Sequence, residues 1–120
     1  MFLNYSNHPS SLWGENQIKA AKKYGDIVDV PFPQIPAVFE EASVKKMADS
    51  EYGKIISLNP MVVLCQGEMT FCHNMVNRLT ENGITVVAAC SERVNTERLS
   101  PDGRTVKQCV FEFVRFRKYF

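Results

Sequence analysis

No stretch of this 120-residue sequence approaches the roughly 18 consecutive apolar residues of a membrane span. The start, Met1-Phe-Leu-Asn-Tyr5, has no charged segment leading into a long apolar run, so no signal peptide is expected. Gly-x-Gly-x-x-Gly and Gly-x-x-x-x-Gly-Lys-[Ser/Thr] are both absent, which removes a dinucleotide fingerprint and a P-loop. Neither sign of charge is in excess. Fourteen basic against 13 acidic residues leave a net charge of +1, unlike the marked basic surplus of proteins that coat long DNA or RNA. The four cysteines, Cys65, Cys72, Cys90 and Cys109, form no Cys-x-x-Cys hook. Three sit among apolar neighbours, so reduced core thiols are expected rather than a metal site, and a cytoplasmic location with them. No cofactor is implied. Repeats and low-complexity segments are also missing.

What is present is an alternation of short apolar runs with periodic, amphipathic stretches. Met1–Ser6 reads as a strand that ends in the polar turn Ser6–Ser11, and a helix follows to about Tyr24, stopped by Gly25. Asp26–Phe32 reads as a second strand, cut off by Pro31, Pro33 and Pro36. Glu40 to about Leu58 reads as helical, with Val44, Met47, Tyr52, Ile55 and Ile56 facing a core and Gly53 weakening it. Met61–Cys65 is apolar on both faces, as a central parallel strand is. In Thr70–Asn82 the residues Cys72, Met75, Val76 and Leu79 fall at i, i+3, i+4 and i+7, and Gly83 ends the helix. Ile84–Cys90 is β-branched and buried. Val94–Leu99 and Arg104–Tyr119 flank Ser100-Pro-Asp-Gly103 as an antiparallel hairpin. The expectation is one small Rossmann-like α/β domain over residues 1–120, with a mostly parallel sheet, flanking helices and a C-terminal hairpin.

Ligands of such sheets bind beyond the carboxyl ends of the parallel strands. Three polar loops belong there: Ser6–Ser11, Gln66–Thr70 and Ser91-Glu92-Arg93. Helix-start amides after two of them suit phosphate oxygens, and Gly67 lets a backbone approach a ligand. Strict alternation puts Cys109, Phe111, Phe113, Arg115, Arg117 and Tyr119 on one face of the last strand, running from core to cationic. Each residue also has a plain structural reading. Ser10, Ser11 and Thr70 are helix caps, His8 is a turn residue, and Glu68 is a charge favoured at a helix start. Glu92-Arg93 is then an internal ion pair, and Arg115 and Arg117 are a solvated strand end.

Taken in order, Asn4-Tyr5-Ser6-Asn7-His8-Pro9, Gln66-Gly67-Glu68-Met69-Thr70-Phe71, Ser91-Glu92-Arg93 and Phe113-Val114-Arg115-Phe116-Arg117-Lys118-Tyr119 resemble a known family. It is that of the small stand-alone CRISPR-associated proteins with a CARF-like Rossmann fold, ring nucleases among them. The resemblance spans nearly the whole chain, with residues 33–60 similar only in general character. Cys90-Ser91 departs from it where a pair of small hydroxyl residues is expected. The resemblance implies binding of a cyclic oligoadenylate, cyclic tetra-adenylate first, at a homodimer interface. It further implies metal-independent cleavage by the ribose 2′-hydroxyl, which switches off type III CRISPR signalling. The alternative is a sensor or sponge that binds the messenger without cutting it. On this reading His8 and Arg93 are catalytic. Ser6, Asn7, Ser10, Ser11, Gln66, Gly67, Glu68, Thr70, Ser91, Arg115 and Arg117 bind the ligand, with no metal, no long nucleic acid and no membrane as partner. An enzyme for another phosphate-containing nucleotide and a purely partner-binding domain are the remaining readings.

Overall fold

In the computed structural model, which describes residues 1–120, the short apolar runs become strands and the periodic stretches become helices. The order is β1 (Phe2–Ser6), α1 (Glu15–Lys22), β2 (Ile27–Asp29), α2 (Glu41–Ser57), β3 (Val62–Gln66), α3 (Met69–Glu81), β4 (Thr85–Leu99) and β5 (Thr105–Lys118). A 3-10 turn, Ser10–Leu12, precedes α1. All five strands share one sheet in the order β2-β1-β3-β4-β5. The first three pairings are parallel and β5 lies antiparallel on β4. The expected α/β class, the mostly parallel sheet and the C-terminal hairpin are therefore present. No helix is long and apolar enough to cross a membrane.

Helices cover both faces of the sheet, so its central strands β1 and β3 are buried at all positions but Gln66. β1 is buried at all five residues. On one face Leu3, Tyr5, Val63, Cys65 and Val86 pack beneath α2 and α3, against Ala48, Ile55, Phe71, Met75 and Leu79. On the other, Phe2, Val62, Leu64 and Val87 pack against Ala21 of α1. Burying a side chain of this size contributes roughly 1.5–3 kcal/mol. The α3 residues Cys72, Met75, Val76 and Leu79 are all buried, as their spacing predicts. Gly83, at φ +78°, takes the left-handed conformation that ends the helix.

Several boundaries differ from expectation for identifiable reasons. α1 begins only at Glu15, because Trp13 and Gly14 are extended and separate it from the 3-10 turn. β2 is three residues long. Val30 still donates to the Asn4 carbonyl, but Pro31 has no N–H with which to continue the ladder. α2 runs unbroken through Gly53, whose absent side chain would face open space. Ile56 turns outward, 37% exposed, while Glu51 is buried. The Tyr5 hydroxyl donates to Glu51 Oε1 at 2.8 Å, and Lys54 Nζ lies 2.8 Å from Oε2. Burial first, and then the Glu51 carboxylate, push the Tyr5 phenol well above its ordinary range, so it remains a donor.

The hairpin differs most. The expected strands Ile84–Cys90 and Val94–Leu99 are one continuous strand, β4. Between Cys90, opposite Arg115, and Ser91, opposite Phe113, the register moves by one residue. That bulge reverses which face each later side chain occupies. Strict alternation is thereby overturned. Phe111 and Phe113 share the α1 face with Phe116, whose ring centroid lies 4.9 Å from Phe2 and 6.3 Å from Trp13. Arg115 and Arg117 go to the α3 face with Tyr119, whose hydroxyl donates to the Cys65 carbonyl at 3.3 Å. Of the cysteines, Cys65 and Cys72 are buried, Cys90 is half-buried and Cys109 is exposed.

Candidate functional site

The chain leaves β1 towards α1 on one face and leaves β3 towards α3 on the other. The carboxyl ends of these adjacent strands therefore form the switch point at which doubly wound sheets hold ligands. β3 and β4 pair only as far as Leu64 and Val87. Beyond that point the Gln66 side chain closes the gap, its Oε1 accepting the Ala89 N–H at 3.0 Å. The splay opens a groove of about 820 Å3 on the α1 face. Leu64, Gln66 and Ala89 form its floor, with Ser6, His8 and the Trp13–Gln17 segment on one side and Ser91 with Phe111–Phe113 on the other.

Hydrogen bonds from β1 hold the first loop. Asn4, 1% exposed in a strand of apolar neighbours, donates to the His8 carbonyl at 2.8 Å and to Asp29 Oδ1 at 2.9 Å. Ser6 donates to Asn4 Oδ1 at 2.6 Å. The Asp29 carboxylate then accepts the Ser10 amide and, at 3.0 Å, its hydroxyl. This network satisfies the buried polar atoms and presents the His8 side chain to the groove. At the start of α1 no side chain caps the helix at Gly14, so its first amides are free beside the groove. Glu15 is the one acidic side chain on the groove's own face, since Glu112 borders it from a register position that faces the other side of the sheet, and no lysine or arginine lines it. Flat aromatic surfaces and small hydrogen-bonding groups suit planar, polar rings. A phosphate inside would find no cation.

Four of the residues expected from sequence meet here: Ser6, His8, Gln66 and Ser91. Asn7 borders a separate small hollow with Pro9 and Asp29. Ser10 is engaged by Asp29, and Ser11 sits exposed on the 3-10 turn. Gly67 serves packing rather than ligand approach, since a Cβ there would lie 2.4 Å from the Phe32 ring. The amides that open α3 are not free for an anion. Glu68 accepts from Thr70 N at 3.1 Å and Phe71 N at 2.8 Å, and the Thr70 hydroxyl also donates to it. The hydrogen bond from the Thr70 side chain, followed by those two amides, holds the Glu68 carboxyl below its ordinary value.

Arg93 shares the groove face one step beyond Ser91, but its Nε donates to Cys109 Sγ at 2.8 Å. It forms no ion pair with Glu92, which lies directly opposite Glu112. Arg115 and Arg117 stand on the other face of the sheet, away from the groove. Sequence reasoning passed over Asn4, Asp29, Trp13 and the Phe111 wall. The one available signal was a polar residue inside Phe2-Leu-Asn-Tyr-Ser6. On the α3 face a crevice of about 450 Å3 runs past Gly67, Cys72, His73 and Tyr119. There the Cys65 thiol points at Cys72 Sγ, 3.8 Å away, and that hydrogen bond together with burial pushes Cys65 up.

Residues 1–117 match the model of the uncharacterized protein MJ1673 family, and the chain belongs to that family. Neither the curated proteins nor the solved structures yield a match.

Proposed function

We propose that the groove binds a cyclic oligoadenylate messenger, cyclic tetra-adenylate first, with two copies of the chain closing on one ring. The observation that carries this is an open groove at the switch point whose walls hold Trp13, Phe111 and Phe113 beside Ser6, Gln66 and Ser91. Adenines stack on such surfaces, at about 1–3 kcal/mol per base, and their edges find donors and acceptors in the serines and the amide. With Glu15 in the lining and no cation, the groove favours the bases, and the phosphates lie at its mouth. A tetranucleotide ring has approximate two-fold symmetry, which a pair of identical grooves matches. This assignment keeps the CARF-like, type III CRISPR context that the ordered loops suggested.

A second reading, cleavage of the ring, is favoured by His8, whose imidazole lies at the groove. The O2′ attacks the adjacent phosphorus while His8 takes its proton. The P–O5′ bond breaks, the departing O5′ takes a proton from water while His8 returns its own to solvent, and a 2′,3′-cyclic phosphate end forms. Arg93 must leave Cys109 and swing one step along the strand to stabilise the charged phosphorane. Incubation with cyclic tri-, tetra- and hexa-adenylate, with and without EDTA, followed by mass spectrometry, tests both readings. Tetra-adenylate retained intact supports the sensor or sponge, and linear fragments ending in cyclic phosphate, formed also in EDTA, support the nuclease. Absence of binding to all three rings overturns the proposal.

A further inference from the structure

Beyond the groove, β4 and β5 continue as a two-stranded arm with no helix on either side. Between Ser91 and Glu112 only Val94 and Ser100 are even half-buried. The radius of gyration is 17.3 Å, against about 14 Å for a compact chain of this length. A bare two-stranded ribbon is marginal in water, so an arm of this length wants a surface to lie on.

One face of the arm shows what that surface is. From root to tip its cross-strand pairs are Glu92 with Glu112, Val94 with Val110, Thr96 with Gln108, and Arg98 with Val106. Like charges placed directly opposite destabilise a ribbon. None of the three ion pairs in the chain engages Glu92, Glu112 or Arg98. Arg115, opposite Cys90, adds a single cation next to the acidic pair. The root therefore remains acidic, the middle is a valine row followed by a neutral polar row, and the tip carries the cation of Arg98 beside Val106. Val106 and Val110 are 36% and 45% exposed.

We infer that this face is a dimerisation surface and that its occupant is a second copy of the same chain. A face that is acidic at one end, uncharged between and basic at the other is its own charge complement when turned through a two-fold axis. With the axis at the Asn95–Cys109 row, Arg98 of each copy lies over Glu92 and Glu112 of the other, and Val94 and Val110 lie over Thr96 and Gln108. The six steps from Glu92 to Arg98 span about 20 Å, and two such faces pack about 10 Å apart. The charge distribution of the whole chain agrees. The segment from Ser91 to Lys118 holds seven basic and four acidic residues, and the remainder holds seven and nine. This face of the arm lies opposite the one that carries the groove, so the dimer is distinct from two copies closing on one ring, and the inference does not rest on that reading.

Sedimentation of the purified chain without nucleotide tests the inference separately from ligand binding. The expected result is a dimer with a dissociation constant on the order of 10 µM at low salt, weakened as salt screens the end rows. Arg98→Glu alone and Glu92→Lys/Glu112→Lys alone are expected to be folded monomers. Their equimolar mixture restores a dimer, because each tip then meets a root of opposite charge. Circular dichroism confirms that these exposed changes leave the fold intact. A monomeric wild type up to about 500 µM overturns the inference, as does a dimeric Arg98→Glu or a mixture that stays monomeric. If the dimer fails while tetra-adenylate still binds, the groove reading stands and the arm assignment falls.

Discussion

The body of the molecule and its arm are built from the same kinds of residue under opposite rules. In the body the central strands β1 and β3 are enclosed by helices. β1 has no exposed residue, and even its Asn4 and Ser6 are tied into hydrogen bonds. In the arm the strands touch only each other, and Phe111 stands 70% exposed. A side chain in the body is therefore fixed by what surrounds it. In the arm it is fixed only by which face the alternation gives it, and one bulged residue is enough to exchange the faces.

The contrast predicts a steep gradient in the cost of substitutions. Phe71→Ala, which removes a fully buried ring packed on Tyr5 and Phe32, is expected to cost about 3–5 kcal/mol in urea unfolding. Gly67→Ala forces a methyl against the Phe32 ring and is expected to cost about 1–3 kcal/mol, with Phe32→Leu partly restoring the loss by making room. A cost below about 0.5 kcal/mol for Gly67→Ala would return the glycine to a ligand role. Asn4→Ala leaves the Asp29–Ser10 end of the loop network without its anchor in β1. About 1–2 kcal/mol is expected, together with faster hydrogen exchange over residues 7–11 and weaker adenylate binding.

Smaller effects mark the boundary between the two regions. Glu68 is held below its ordinary carboxylate value in the folded chain. Its stabilisation is therefore fully present above the unfolded value and is lost as pH falls through the folded one. Glu68→Gln is expected to flatten that acid limb in a pH series of thermal melts. The cost near neutrality is about 0.5–1 kcal/mol, reduced by the exposure of the cap. Out on the arm, Arg98→Glu is expected to shift monomer stability by less than about 0.5 kcal/mol while changing association. An effect of core size would mean that the arm packs on its own body.

Periodicity in the sequence determined the parts of this protein that depend on local spacing. The buried α3 residues at i, i+3, i+4 and i+7, the two-faced apolar β3 and the loops beyond the strand ends all follow from patterns that side-chain geometry imposes on the backbone. It also brought Ser6, His8, Gln66 and Ser91 to one place, because parallel strands end on one side of a sheet. Tertiary structure alone decided the rest. Whether Glu68 or a ligand takes the amides that open α3 depends on a side-chain rotamer. Whether Gly67 faces a ligand or a ring depends on where Phe32 lands from 35 residues away. Whether Arg115 and Arg117 reach the groove depends on a one-residue register shift, and alternation counted along the strand cannot contain it. These are contacts between distant segments, and their energies enter only when the segments meet.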